Sequence, residues 1–271
     1  MNALVYDNKG KDINAVWLKK LIKSLDEAEI PSRVIDDDDL SKDISADVLF
    51  VLGGDGTILC LNEFANRNNI PMIGINIGKL GFLSEFESSE IDKAVSLFKS
   101  GELKKDVRIA IDVFYDKITY CALNDVFVQR VYSEDVGCMI TEVKVAVDDT
   151  DTCSYKGDGV ILCTPTGATA YSLSAGGSIL APKVEAFSVT PIAVHDFNQR
   201  PIVYSSDSTF KFKITGDVPV GLFADGHFIA NLKKGDTFIV KKALKPTVFL
   251  RKQDFNFFKR LNHKFRSQRG E

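Results

Sequence analysis

Asp47-Val48-Leu49-Phe50-Val51-Leu52-Gly53-Gly54-Asp55-Gly56-Thr57-Ile58-Leu59 is the stretch that decides how the chain is read. Its first half is a short apolar, β-branched run of the kind that forms a fully buried parallel strand. Beyond the glycines, Ile58, Leu59, Leu61, Phe64 and Ala65 suit a helix with one buried stripe. Gly53, Gly54 and Gly56 therefore mark a strand-to-helix turn. Glycine there permits positive φ and lets an anion approach the backbone without meeting a Cβ. The following helix N-terminus adds unpaired N–H groups and partial positive charge, which favour phosphate. Asp55 is the exception, because a carboxylate beside phosphates repels them unless it holds a metal or accepts a proton. A helix-capping aspartate is the plainer alternative. The turn is neither a Walker loop, since no Gly-Lys-Ser/Thr follows, nor a Gly-x-Gly-x-x-Gly dinucleotide fingerprint.

Working outward, residues 1–101 alternate strand and helix. Ala3–Tyr6, Arg33–Ile35 and Met72–Ile75 read as strands, and Ile13, Trp17, Leu21, Leu25 and Ala28 mark one helix face. Asn76-Ile77-Gly78-Lys79-Leu80-Gly81-Phe82-Leu83 is a second glycine-punctuated loop leaving a strand. Ser89 opens a helix that stops at Gly101. The alternation predicts a doubly wound α/β domain with a parallel sheet, whose ligands bind beyond the carboxyl ends of the strands. Asp36–Asp39 reads as a solvated acidic run. After Gly101 the apolar period becomes two, as in Phe210, Phe212 and Ile214, which predicts a mainly β second domain of sheets packed face to face. The expected domains are 1–103, 104–251 and a C-terminal segment, 252–271.

An apolar content of 45%, a charged content of 26% and a net charge of −3 over 271 residues suit a soluble enzyme and provide no basic field for nucleic acid. Arg251, Lys252, Lys259, Arg260, Lys264, Arg266 and Arg269 make the tail locally basic, which reads as a solvated face. No leader or bilayer-spanning run is visible, so a cytoplasmic location is expected, without membrane partners. Five scattered cysteines read as buried reduced thiols, and the three histidines form no metal-binding pair at helical spacing.

Polar clusters stand out in the β half. Asn124-Asp125 interrupts an apolar strand; it either satisfies a structural hydrogen bond or reads a ligand with amide and carboxylate. Lys156-Gly157-Asp158-Gly159 precedes a strand leading into Thr164-Pro165-Thr166-Gly167-Ala168-Thr169-Ala170-Tyr171-Ser172-Leu173-Ser174-Ala175-Gly176-Gly177. That stretch is either a solvated loop with a packed small-residue helix or a site in which Tyr171 offers a flat surface. His195, Arg200 and Ala224-Asp225-Gly226-His227 add further polar turns.

In this order, Gly53–Thr57, Asn76–Leu83, Asn124-Asp125, Gly157–Gly159, Thr164–Gly177, and His195 with Asn198–Val203 resemble the NAD kinase family. The first glycine motif also occurs in phosphofructokinases and in diacylglycerol and sphingosine kinases; the Thr-Pro-Thr-Gly stretch is more specific. The resemblance implies an α/β domain, a β-sandwich domain, an active site in the cleft between them, and a C-terminal segment packing back on the first domain. It also implies a homodimer or homotetramer that phosphorylates the adenosine ribose 2′-hydroxyl of NAD, giving NADP. ATP, or polyphosphate in its place, would be the donor, with Mg²⁺ or another divalent metal and no dedicated protein site for it. Asp55 would be the general base, with Gly53, Gly54, Gly56, Thr57, Gly78, Lys79, Leu80, Gly81 and Phe82 forming the nucleotide loops. Asn124, Asp125, Lys156, Asp158, Thr169, Ala170, Tyr171, Ser172, Leu173, Ser174, Ala193 and His227 would bind NAD. Lys156 stands where the family usually has Arg, a position from which the resemblance implies a reach from a neighbouring subunit, and Ala168 where it usually has Ser. The competing readings are a diacylglycerol- or sphingosine-type lipid kinase and a non-catalytic NAD(P)-sensing protein.

Overall fold

The expected alternation of strand and helix is present in the computed structural model, which describes residues 1–78, 81–131, 140–196 and 198–268. The chain divides into two units, Met1–Val107 with Thr247–Glu271, and Arg108–Pro246. The first unit runs β1 (Ala3–Asp7), α1 (Val16–Glu27), β2 (Ser32–Ile35), β3 (Val48–Gly53), α2 (Asp55–Arg67), β4 (Met72–Asn76), β5 (Phe86–Glu87), α3 (Ile91–Lys99) and β6 (Lys104–Arg108). Its sheet has the order β2-β1-β3-β4, all parallel, with β5 beside β4. Every residue of β3 and β4 is buried, so neither strand shows polar alternation. Val5, Phe50, Leu52, Ile73 and Ile75 of the sheet pack with Leu21 and Leu25 of α1 and Ala94 and Val95 of α3. The carboxyl ends of β1, β3 and β4 are neighbours, which brings together the loops that follow them. The acidic run is less solvated than its composition suggests. Asp39 is buried and accepts from Arg33 at 2.7 Å and Lys42 at 2.9 Å.

The second unit comprises β7 (Ile111–Tyr115), β8 (Ile118–Ala122), β9 (Asp125–Arg130), β10 (Thr141–Val147), β11 (Thr150–Gly157), β12 (Gly159–Cys163), α4 (Tyr171–Ser174), β13 (Ala186–Ile192), β14 (Ile202–Ser205), β15 (Phe210–Ile214), β16 (Val220–Ala224), β17 (His227–Leu232) and β18 (Thr237–Lys242). They form two antiparallel sheets, β11-β10-β15-β18-β7-β8 and β14-β13-β12-β9-β16-β17. Val113, Phe212, Phe238 and Val240 of the first sheet meet Val126, Leu162, Phe187 and Leu222 of the second in one core. Along β15, Phe210, Phe212 and Ile214 are buried while Lys211 and Lys213 are exposed. Asn124-Asp125 is not at mid-strand: β8 ends at Ala122 and β9 begins at Asp125, so the polar pair sits where the chain crosses from one sheet to the other. Apolar residues on both sides hid this crossing. The turn Asp225-Gly226, with φ of +49° and +82°, closes the β16–β17 hairpin.

The chain then returns to the first unit through β19 (Thr247–Arg251), parallel to β4 with Phe249 opposite Met72, and ends in α5 (Phe257–Gln268). The sheet thus takes in residues 104–108 and 247–251, which composition had grouped with the second domain. The tail is not simply a solvated basic face. Arg251 is wholly buried, with Nε donating to Asp106 at 2.7 Å and Nη1 to Glu85 at 3.2 Å. Lys252 donates to Glu90 at 2.8 and 2.9 Å. Sequence spacing conceals such pairs because the acidic partners lie more than a hundred residues upstream. Cys60 is exposed, whereas Cys121 and Cys163 are buried; Cys138 lies outside the described residues. No described helix is long and apolar enough to cross a membrane.

Arg251→Met leaves the half-buried carboxylate of Asp106 and the buried one of Glu85 without this cation. It should lower the unfolding free energy by about 3–5 kcal/mol in urea titrations; a loss below about 1 kcal/mol would contradict a buried, interdependent cluster.

Candidate functional site

Gly54 is the N-cap of α2, with extended backbone at φ −116° and ψ −170°. Gly53, Gly54 and Gly56 do not adopt positive φ; at Gly53 and Gly54 close approach, not left-handed backbone, is what disfavours larger residues. A Cβ on Gly53 would lie 2.6 Å from Cβ of Thr57, and one on Gly54 would lie 2.9 Å from Nζ of Lys11. The Cβ position of Gly56 faces open space. Thr57 is buried, and its hydroxyl accepts from Nδ2 of Asn8 at 2.8 Å. This bond ties the loop after β1 to the first turn of α2 and brings the Lys11 ammonium over Gly54. Lys11 and Asn8 carried no signal in the sequence beyond ordinary loop polarity.

The half-buried carboxylate of Asp55 accepts from the backbone N–H groups of Phe82 at 2.6 Å, Leu83 at 3.1 Å and Ser84 at 3.3 Å. A Cβ on Gly81 would overlap this carboxylate, which explains the glycine there. The carbonyls of the same segment point at two arginines. Arg251 donates to Phe82 O at 3.4 Å and Leu83 O at 3.1 Å. Arg260 donates to Gly81 O at 3.5 Å and to Ser84 O. Glu85 accepts from both guanidinium groups, at 3.2 Å from Arg251 and 3.5 Å from Arg260. Upstream, Asn76 accepts from Gly78 N at 3.3 Å and donates to Gly78 O at 2.8 Å, holding the exposed Gly78 in a tight turn. The ring of half-buried Phe82 lies 6.2 Å from that of Phe257. Lys79 and Leu80 fall outside the described residues.

In the second unit, Asp225 performs the corresponding task at Asn124-Asp125. Its carboxylate accepts from Leu123 N and Asn124 N at 2.7 Å and from Asp125 N at 3.2 Å. On the other side, Thr164 donates its hydroxyl to Leu123 O at 2.6 Å and its N–H to Asn124 O at 2.8 Å. Gly167 presses so close to Asn124 O that no Cβ would fit. The backbone is thereby fixed, and the half-buried Asn124 carboxamide has no hydrogen-bond partner among the described residues. Asp125 is buried, and its carboxyl is pushed up to about 7, first by burial and then by the charge of Asp225. Burial also raises Asp225 to about 6, against the pull of its three backbone donors. The Asp225-Gly226 turn is legible in the sequence, whereas the partners of Asp225, about a hundred residues upstream, are not.

The remaining residues follow β9. Val126 and Val128 face the core, while Phe127 faces outward and packs with Ile161, Cys163, Ala168 and Tyr171 in a second, smaller cluster. The ring of Tyr171 meets Phe127 edge-on at 5.0 Å, and its hydroxyl donates to Gln129 at 3.4 Å. Gln129 is opposite Gly159, next to Asp158, which pairs with Arg130 at 2.9 Å. From Asp125 to Gln129 this row extends roughly 13 Å at the usual strand rise. Thr169 donates to Thr166 O at 3.2 Å. Ser172 is fully buried against Thr190 at 2.9 Å, whereas Ala170 and Leu173 are half-buried and Ser174 is exposed. Exposed Lys156 lies 3.9 Å from Glu142. Ala193, exposed at φ +45°, turns its carbonyl toward Gly157. His227 is exposed, with its ring 6.2 Å from that of Tyr120. Among the described residues, no three His, Cys, Asp or Glu side chains converge as metal ligands.

Residues 15–103 match the family model of the ATP-NAD kinase N-terminal domain, and residues 123–252 that of the C-terminal domain. An NAD kinase of Fusobacterium nucleatum is 32% identical over 267 residues, covering 97% of this chain and 96% of its own. One from Carboxydothermus hydrogenoformans is 36% identical over 226 residues, covering 81% of this chain and 79% of its own. The crystal structure of yeast NADH kinase complexed with NADH matches with a TM-score of 0.83 at 27% identity, over 96% of this chain and 86% of that one.

The elevated Asp125 carboxyl sets a pH dependence of stability. Below about pH 4 the folded and unfolded states both hold the proton, and the group favours neither. Between about 4 and 7 the unfolded chain loses its proton first, so stability falls as pH rises, with the full penalty in place above the folded value of about 7. Asp125→Asn is expected to raise the melting temperature at pH 8 by several degrees and to leave it nearly unchanged at pH 4. Equal shifts at both pH values would contradict a buried carboxyl that retains its proton.

Proposed function

The chain belongs to the NAD kinase family and is a phosphotransferase acting on NAD with ATP; within that activity, we propose that Asp55 is the general base and the adenosine ribose 2′-hydroxyl the acceptor, giving NADP. The observation that carries this reading is the half-buried Asp55 carboxylate held at the start of α2 by three N–H donors. A carboxylate has about four acceptor positions. Three are taken by backbone, and the fourth is left to accept a hydroxyl proton as the sugar oxygen attacks. A ribose hydroxyl is a weak nucleophile, so a base fixed in orientation contributes both proton removal and alignment.

On the donor side, the α2 N-terminus and the Lys11 ammonium over Gly54 would offset charge developing on the phosphates. The donor is taken as the metal complex of ATP, in which Mg²⁺ keeps water and phosphate oxygens as most of its ligands. On the acceptor side, the Asn124 carboxamide would read an adenine edge and Asp125 would accept from a ribose hydroxyl. Tyr171 and Phe127 provide an aromatic floor. The roughly 13 Å row along β9 suits an extended two-nucleoside ligand better than a compact one. Self-association to a homodimer or homotetramer is part of the same proposal, resting on the family resemblance.

Incubation with ATP, Mg²⁺ and NAD should yield NADP, detected with a dehydrogenase that accepts only the phosphorylated coenzyme. Asp55→Asn should lower kcat by about 10²-fold or more while changing the KM for NAD less than about threefold. A kcat within about tenfold of the parent would remove Asp55 as base.

A further inference from the structure

The segment Gly81–Glu85 shows a pattern that its separate hydrogen bonds conceal. The carbonyl of one residue and the N–H of the next belong to the same planar unit and point in opposite directions. In the Gly81–Phe82 unit, the carbonyl accepts from Arg260 while the N–H donates to Asp55 at 2.6 Å. In the Phe82–Leu83 and Leu83–Ser84 units, the carbonyls accept from Arg251 while the N–H groups donate to Asp55. In the Ser84–Glu85 unit, the carbonyl again accepts from Arg260, and the N–H donates to Gly74 O at 2.9 Å. Three consecutive peptide units are therefore held between a cation and the same carboxylate. Such end-to-end polarisation strengthens each bond in the series.

We propose that Arg260, on the C-terminal helix α5, is a positioning residue for phosphoryl transfer, fixing the Gly81 and Ser84 carbonyls at the two ends of the segment so that the Phe82 N–H, opposite the first of them, orients the Asp55 carboxylate. This rests on the reading of Asp55 as base. Arg251 grips the two central units but is wholly buried and also pairs with Asp106, so its loss would confound positioning with folding. Arg260 grips the two outer units, including the one that makes the shortest bond to Asp55. Its side chain keeps 13% exposure and lies over the ring of Phe255 at 5.1 Å. Glu85 and Asp55 both stabilise its charge against the cost of burial. A cation serving only to dock α5 would be satisfied by Glu85 alone; two backbone carbonyls of a glycine loop are not needed for that.

The test compares Arg260→Met, Arg260→Gln and Arg260→Lys in the full chain, at a temperature where circular dichroism shows each folded. Arg260→Met should lower kcat roughly 10- to 100-fold with the KM for NAD within about twofold, as expected for a misoriented base. The acidic limb of its kcat–pH profile should move to higher pH, because a cation that interacts with the Asp55 carboxylate is lost. Arg260→Lys should recover most of the rate. Arg260→Gln keeps a donor without the charge, should change both readings less in the same direction, and decides the matter if the methionine variant does not fold. A parental kcat and pH profile, with only the melting temperature lowered, would overturn the proposal. If Asp55→Asn is inactive while the Arg260 variants behave as the parent, this inference alone fails; if Asp55→Asn is fully active, the base assignment fails with it.

Discussion

The first unit depends on how a short glycine-containing segment satisfies its peptide groups. Gly81–Glu85 is neither helix nor extended ladder, so its N–H and C=O groups need partners from elsewhere. A carboxylate on one side and two guanidinium groups on the other provide them, and charge-assisted bonds are the stronger kind. The requirement extends to the surrounding sequence. Gly81 must lack a Cβ because Asp55 fills that space, and Gly74 because Cα of Ser84 would be 2.8 Å away. Arg251 and Arg260 come from the last strand and helix, so the chain must return to the first sheet to finish the loop that follows its fourth strand.

The second unit solves the same problem with neutral donors on the carbonyl side. The Leu123–Asn124 and Asn124–Asp125 peptide units each give an N–H to Asp225 and a carbonyl to Thr164. Both loops are thus held by an aspartate accepting three consecutive N–H groups. The consequences differ. Asp225 leaves the Asn124 side chain without a hydrogen-bond partner among the described residues, whereas Asp55 keeps an acceptor position of its own. One aspartate presents another residue, and the other presents itself.

The local features of this arrangement were readable in the sequence. The buried run of β3, the glycine turn, the period-two strands and the Asp225-Gly226 hairpin follow from rules spanning a few residues. The long-range partnerships were not. Arg251 and Arg260 lie 166 and 175 positions from Glu85, and Asp225 lies about a hundred from the backbone it holds. Nothing in a run of basic tail residues distinguishes a buried cation from a solvated one. Asn124-Asp125 was misplaced because apolar residues flank both sides of a sheet crossing as they would flank a strand interior. Glycine also carries two meanings, positive φ and close approach, and the alphabet does not separate them at Gly53 and Gly54.

These observations make the Asp55 carboxylate the junction between the glycine turn and the loop beyond β4. Amide hydrogen exchange at Phe82, Leu83 and Ser84 tests that junction directly. The account requires these three amides to be protected in the parent without substrate and to exchange rapidly together in Asp55→Ala, while amides of β3 and β4 keep their protection. Rapid exchange of the three amides in the parent, or unchanged protection in the variant, would contradict it.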